Sequence, residues 1–158
     1  MSVKTQTGSY LTFKLGSELF AFSVNKVLEI LEIQPITHVP QSPDFMRGVI
    51  NLRGNILPVI DTRIRFRLPG VDFTIDTCII VLSMENNGEP VLLGAIVDSV
   101  QKVIDIADDE IRRSASISSY FKEEYIIGMG KIDDEFIMIL DVDKVFLATE
   151  LLSAASDN

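Results

Sequence analysis

Cysteine, histidine, basic residues and long apolar runs are all scarce in this 158-residue chain, and each shortage excludes something. The single cysteine, Cys78, cannot close an internal disulfide, which argues against a secreted scaffold held by bridges. It lies in an apolar strand with no histidine or lysine near it in sequence, so a buried, inert thiol is expected. The single histidine, His38, stands between Thr37 and Val39 with no carboxylate or thiol at ligand spacing, and neither a metal nor another cofactor is expected. The longest apolar stretch, Val91 to Val97, falls far short of the ~20 residues needed to cross a bilayer, so no direct membrane insertion is expected. Met1 to Tyr10 is polar and lacks the apolar core of a signal peptide, which points to a soluble protein of a reducing compartment. With 14 Lys and Arg against 23 Asp and Glu, the net charge is −9, and nucleic acid would be repelled on average.

What the chain does have is apolar material, 47% of it, against 23% charged residues, with no low-complexity tract. Its length suits one domain of roughly 100–150 residues. A chain of this size buries about 70% of the surface its unfolded form exposes, so no staple is needed. Everything is organised around Met46 to Asp61. Val49, Ile50 and Leu52 run into Arg53-Gly54-Asn55, and Ile56, Leu57, Val59 and Ile60 follow, which reads as a β-hairpin with a tight turn. Asp61 sits where its carboxylate can cap a following helix. Five of the seven arginines (Arg47, Arg53, Arg63, Arg65, Arg67) cluster here, with Asp61 as the only acid among them. Such a patch on an acidic molecule suits an acidic protein partner better than DNA or lipid; a solvated basic face is the alternative.

Taken in order, Tyr10 to Leu15 alternates as a strand, Gly16-Ser17 turns, and Leu19, Phe20 and Phe22 return. Ser23 can cap one helical turn before a strand carrying Glu29, Ile30 and Glu32. Ile36 to Val39 reads as extended, and Ser42-Pro43 as a cap before Gly48. Thr62 to Leu68 fits an edge strand or a short helix, and Pro69-Gly70 ends the first half. Thr77 to Leu82 and Val91 to Val97 are strands around an Asn87-Gly88 turn. Asp105 to Arg113 is acidic and then basic, and Ser114 to Ser119 is polar. Tyr125 to Ile132 leads into the strand Phe136 to Leu140, and Asp141 opens a last helix that fades into the tail Ser153 to Asn158.

An internal repeat sharpens this reading. At an offset of 80, Gly48 falls on Gly128, Leu52 on Ile132, Ile56 on Phe136, Val59 on Ile139, Asp61 on Asp141 and Phe66 on Phe146. At an offset of 73, Val24, Val27 and Ile30 fall on Val97, Val100 and Val103. The helical spacing of Val142, Val145 and Phe146 then favours a short helix after Asp61. Two small β-units, each too small to be stable alone, would share one apolar seam.

A repeated aspartate ending an apolar strand has one catalytic reading, an aspartic-type hydrolase in which Asp61 and Asp141 share a proton. Arg63 and the run Asp141-Val142-Asp143 stand where that chemistry needs small loop residues, so helix capping is the expected role. Gly128-Met129-Gly130-Lys131 lacks phosphate-loop spacing, and Asp108, Asp109 and Glu110 lack the alternation of a calcium loop. No catalytic constellation assembles, and no enzyme is expected. Arg53 remains. It either presents a donor fork to a partner's carboxylates or carbonyls, with Glu29 and Glu32 as acidic companions, or merely fills the turn; Gly48 and Gly54 would let another chain approach.

The runs Val27-Leu28-Glu29-Ile30, Ile36-Thr37-His38-Val39-Pro40 and Gly48 through Asp61 resemble the signature of CheW-type chemotaxis coupling proteins. The resemblance spans about Ser9 to Leu152 and includes Gly94, Asp98 and the closing Ile139 to Lys144, with a helical Val97 to Val103 region between. It implies a mainly β fold: two small five-stranded SH3-like barrels packed on a shared hydrophobic core, with short helices. It also implies one domain over residues 9–152, in approximate halves 9–70 and 71–152, with tails at 1–8 and 153–158. The implied function is a non-enzymatic adaptor that couples chemoreceptor cytoplasmic tips to the regulatory domain of a CheA-type histidine kinase, which has the same fold. The protein would be cytoplasmic, recruited to membrane-associated arrays, and a monomer in isolation. A scaffold of a non-motility pathway, twitching or biofilm control, is the alternative. Carried over by position, Val27, Glu29, Gly48, Asn51 and Arg53 would face the receptor. Gly94 and Gly128 match positions tied to kinase coupling, with a packing role as the other reading. Thr62 departs from the leucine common in the family. No receiver domain is expected after Leu152.

Overall fold

A computed structural model describes residues 6–112 and 125–146 of the chain. The segment Ser114 to Ser119 and the tail Ser153 to Asn158 lie outside the described residues. Ten strands account for most of the rest: β1 (Thr7–Leu15), β2 (Glu18–Ser23), β3 (Val27–Glu32), β4 (Met46–Leu52), β5 (Asn55–Asp61), β6 (Cys78–Asn86), β7 (Glu89–Val97), β8 (Ser99–Ala107), β9 (Ile126–Ile132) and β10 (Glu135–Leu140). Two short helices, α1 (Thr62–Arg65) and α2 (Val142–Phe146), follow β5 and β10. The capping residues sit where their chemistry suggests. Ser23 Oγ accepts from Asn25 N at the start of a 3-10 turn, Val24–Lys26. Asp61 accepts from Arg63 N at 3.0 Å, and Asp141 from Lys144 N at 3.2 Å.

The strands form two five-stranded sheets, ordered β8-β1-β2-β10-β9 and β3-β6-β7-β5-β4. The repeat is visible in them but exchanged. Each sheet takes the first two strands of one half and the last three of the other. The halves join at two pairings in each sheet, one parallel (β2 with β10, β7 with β5) and one antiparallel (β1 with β8, β3 with β6). The boundary at residue 70 therefore divides the repeat but does not separate the two sheets. The cause is the direction of the chain after β2 and after β7, where it crosses to the other sheet instead of turning back.

Most central strands are buried on both faces, which is why they read as nearly continuous apolar runs. Along β6, Ile79 and Val81 face one barrel interior with Ile50, Leu52, Leu57, Val59 and Ile96. The intervening Ile80, Leu82 and Met84 face a core shared by both barrels. Along β10, Ile137 and Ile139 line the second interior, and Met138 and Leu140 join the shared core. That shared core holds an aromatic row from both halves: Phe13 packs on Phe20 and Phe22, Phe20 on Phe66, and Phe22 on Phe146, at centroid distances of 5.8, 4.6, 5.8 and 6.1 Å.

One local expectation gives way to tertiary context. Val97 to Val103 is not helical: β8 lies antiparallel to β1, whose backbone supplies the partners that helical spacing would have found locally. The short turn expected after Ser42-Pro43 is present before Gly48. Ser42 Oγ donates to Val39 O at 2.7 Å, and Phe45 O accepts from Asp61 N at 2.7 Å, which holds this segment as a turn against β5.

Candidate docking site

The β4–β5 turn is a two-residue hairpin loop with both central residues at positive φ, Arg53 at 49° and Gly54 at 87°. Positive φ is costly for a residue with a β-carbon, and among such residues Asn and Asp tolerate it best. The other turns of this kind obey that preference, with Asn87-Gly88 and Asp133-Asp134. Arg53 breaks it. Asn51 compensates on the same hairpin, its Oδ1 accepting from Gly54 N at 2.8 Å.

The arginine reaches across to β3, where its two terminal nitrogens meet the two carboxylate oxygens of Glu29, one at 3.2 Å and the other closer. The hydrogen bond to Arg53 outweighs partial desolvation and, with the guanidinium charge, holds the Glu29 carboxyl below its ordinary range. The pair lies at the surface, with 69% of the Arg53 side chain and 31% of the Glu29 side chain exposed. Leu28 and Ile30 flank Glu29 along β3, and Ile56 stands opposite Asn51 on the hairpin; all three are exposed. Leu28 and Ile30 project from the other face of β3 than Glu29, and the exposed arginine fork is itself a common element of binding hot spots. Leu28, Ile30 and Ile56 were not singled out from the sequence, although apolar residues at successive positions of an edge strand were the available signal.

Of the expected site residues, only Glu29, Asn51 and Arg53 meet at this surface. Val27 is half-buried against the shared core. Gly48 is buried, and a β-carbon there would stand 2.1 Å from Thr37 O, because Thr37 and Val49 exchange both backbone hydrogen bonds. Gly128 is buried in the equivalent place, where Arg112 and Met129 exchange theirs. Gly94 is buried in the other sheet, where a β-carbon would meet Ile79 Cγ2 at 2.6 Å. Gly94 and Gly128 thus belong to different barrels, the first leaving room for a side chain and the second for a neighbouring backbone.

The family model for the CheW-like domain matches residues 9–150. The chain belongs to that family. A CheW-like protein is a scaffold and not an enzyme, and Asp61 and Asp141 are here engaged in capping α1 and α2, so the hydrolase reading is withdrawn. The chain is 34% identical to a chemotaxis protein CheW of Klebsiella aerogenes over 142 residues, covering 90% of this chain and 83% of that one. It is 30% identical to the chemotaxis protein CheW of Bacillus subtilis over 158 residues, 99% of each. The crystal structure of the scaffolding protein TtCheW from Thermoanaerobacter tengcongensis superposes with a TM-score of 0.78 at 30% identity, covering 92% of both chains. The two-barrel SH3-like architecture is that of the family.

The CheW-like frame also explains the other arginines. Arg63 Nε and Nη2 donate to Asp98 at 2.8 and 2.5 Å, and Gly16 N donates to the same carboxylate at 2.6 Å. Arg65 lies between the Phe45 and Tyr125 rings and donates to Val145 O at 2.8 Å. The cationic cluster is therefore partly turned inward, leaving Arg47, Arg53 and Arg67 exposed. Burial pushes the Asp98 carboxyl up, but the Arg63 hydrogen bond, the Gly16 N–H and the Arg63 charge outweigh it and hold it below its ordinary value of 3.8. A lowered folded value stabilises the protein above the unfolded value and loses that contribution as pH falls through the folded one. Asp98→Asn should therefore lower stability at pH 7 by about 1–2 kcal/mol, after allowance for solvent screening. Denaturant titrations across pH should show the difference from the parent closing below about pH 4. A difference that persisted undiminished at pH 2 would assign the loss to something other than ionisation. By contrast, burial raises the Cys78 thiol, which agrees with an inert side chain.

Proposed function

We propose that this CheW-like scaffold couples the cytoplasmic tips of chemoreceptors to the regulatory domain of a CheA-type histidine kinase. The receptor's helical hairpin would dock in a groove between the barrels, at the Glu29–Arg53 face. The kinase would dock at a barrel end. One observation carries the receptor assignment: an exposed arginine occupies a left-handed turn position that Asn or Asp would fill better, beside an acidic partner on β3. Asn51 supports the turn that presents Arg53; Val27 and Gly48 support the strands beneath. Gly94 and Gly128 bear on kinase coupling through packing, Gly94 against the Ile79 side chain and Gly128 against the Arg112 backbone. The names of the Klebsiella and Bacillus relatives favour a place in chemotaxis, with the protein recruited from the cytoplasm to receptor arrays.

Affinity capture with a receptor cytoplasmic fragment and a kinase regulatory domain, singly and together, tests this. Retention of both in one ternary complex is expected. Arg53→Asn separates binding from folding, because Asn suits the turn. Its receptor affinity should fall about ten- to a hundredfold, while its melting temperature stays at or above that of the parent. Undiminished receptor affinity in that variant would remove Arg53 from the docking face.

A further inference from the structure

The exchange of strands between halves raises a question of choice. Each half contributes two strands to one sheet and three to the other, and the two halves share one plan. In geometry alone, a first half could complete its sheets with the first half of a second chain as readily as with its own second half. Pairing of like halves from two chains is an alternative assembly that a repeated plan leaves open.

The residues that break the repeat lie at the junction of the halves. Arg63 of α1 pairs with Asp98, which lies where the chain crosses from β7 to β8. The counterpart of Arg63 at offset 80 is Asp143 of α2, and Asp143 pairs with Lys26 at 3.0 Å, where the chain crosses from β2 to β3. At offset 73 the counterpart of Asp98 is Asn25, the neighbour of Lys26. The same contact is thus made twice, with its polarity reversed. The first pair is well shielded, with 15% of Arg63 and 26% of Asp98 exposed. Arg65 adds a third asymmetry. It donates to the carbonyl of Val145, its own counterpart at offset 80, and lies between Phe45 and Tyr125, which are also counterparts.

We propose that these reversed charges sort the halves, directing each to the unlike half and refusing the like one. Between two first halves, Arg63 would face Lys26 and two copies of Arg65 would meet at one junction. Between two second halves, Asp143 would face Asp98. Between unlike halves every pair is opposite in sign. Like charges opposed at the shielded Arg63–Asp98 contact, and more weakly at the half-exposed Lys26–Asp143 contact, are disfavoured, so the choice falls on the unlike half. The inference stands apart from the receptor assignment, since none of its residues belongs to the Glu29–Arg53 face.

The full-length double variant Arg63→Asp with Asp143→Arg tests it, refolded from denaturant so that pairing is free to equilibrate. Within one chain this variant sets a carboxylate against Asp98 and a guanidinium against Lys26. Between like halves of two chains it makes both contacts attractive. Its dimer fraction by light scattering should exceed that of the parent about tenfold or more at equal concentration. Adding Lys26→Asp and Asp98→Arg restores opposite charges within the chain and should return the protein to monomer. A double variant that refolds only as a monomer overturns the proposal, as does a fourfold variant that stays dimeric. Should the double variant fail to refold, recovery of a monomer in the fourfold variant supports the proposal, and failure there overturns it.

Discussion

Severed between residues 70 and 71, the chain should yield two pieces that do not fold alone but fold when mixed. Residues 1–70 carry β1 to β5, yet β1 and β2 belong to one sheet and β3, β4 and β5 to the other. The pairings β1 with β8, β2 with β10, β3 with β6 and β5 with β7 all cross the cut. Each piece would retain only β1–β2 and β4–β5, or β6–β7 and β9–β10, which are lone hairpins and marginal in water. The shared core is divided as well, with Phe13, Phe20, Phe22 and Phe66 on one piece and Phe146, Met138 and Leu140 on the other. Circular dichroism and thermal melts of each piece should show no cooperative transition. The equimolar mixture should show sheet signal and a single melt. A cooperative melt in either piece alone would mean that a half closes its own sheets or pairs with a second copy of itself.

Gly48→Ala should be the most damaging single methyl group that can be added at the expected site residues. The new β-carbon would lie 2.1 Å from Thr37 O and 2.7 Å from Thr37 C, at a φ of +147°. Backbone, unlike a flexible side-chain end, cannot swing aside, so the Thr37–Val49 bridge must open. Together with the strained φ this should cost about 3–5 kcal/mol in denaturant unfolding. Gly54→Ala is the control: nothing lies within 4 Å of its β-carbon position, and only the φ of +87° is strained. Its cost should be about 1 kcal/mol. Equal losses in the two variants would show that conformation, not the close approach of Thr37, sets the requirement for glycine at 48. The distinction matters for function. A receptor-binding defect in Gly48→Ala would report a displaced strand, because Gly48 is buried, whereas a defect in Arg53→Asn would report the docking surface itself.

The parts legible in the sequence are those whose cause is local. The central hairpin could be read because a tight turn at positive φ leaves a glycine at Gly54, and the helix starts because Ser23, Asp61 and Asp141 bring their own acceptors. The repeat could be read because both halves need apolar residues at equivalent depths in one core. Val97 to Val103 was misread for the complementary reason. Valines three apart fit a helix face, and only β1, far away in sequence, supplies the partners that make the segment a strand. Arg53 could be flagged as an arginine in a turn that did not need one, but its partner Glu29 lies 24 residues earlier on another strand. The inward turn of Arg63 and Arg65 left no mark that separates them from the exposed Arg47 and Arg67.

The sequence by itself determined the composition of the two units, the places where the chain turns, and membership in a family of scaffolds without catalytic groups. These follow from side chains acting on their own neighbours and from the depth each residue must occupy. The tertiary structure alone decided that the units exchange strands, that Gly48 and Gly128 stand beneath crossing segments while Gly94 makes room for the Ile79 side chain, and that Glu29 closes onto Arg53. Strand pairing is a choice among equivalent edges with similar backbone hydrogen bonds. It is settled only where buried faces and opposed charges from both halves meet.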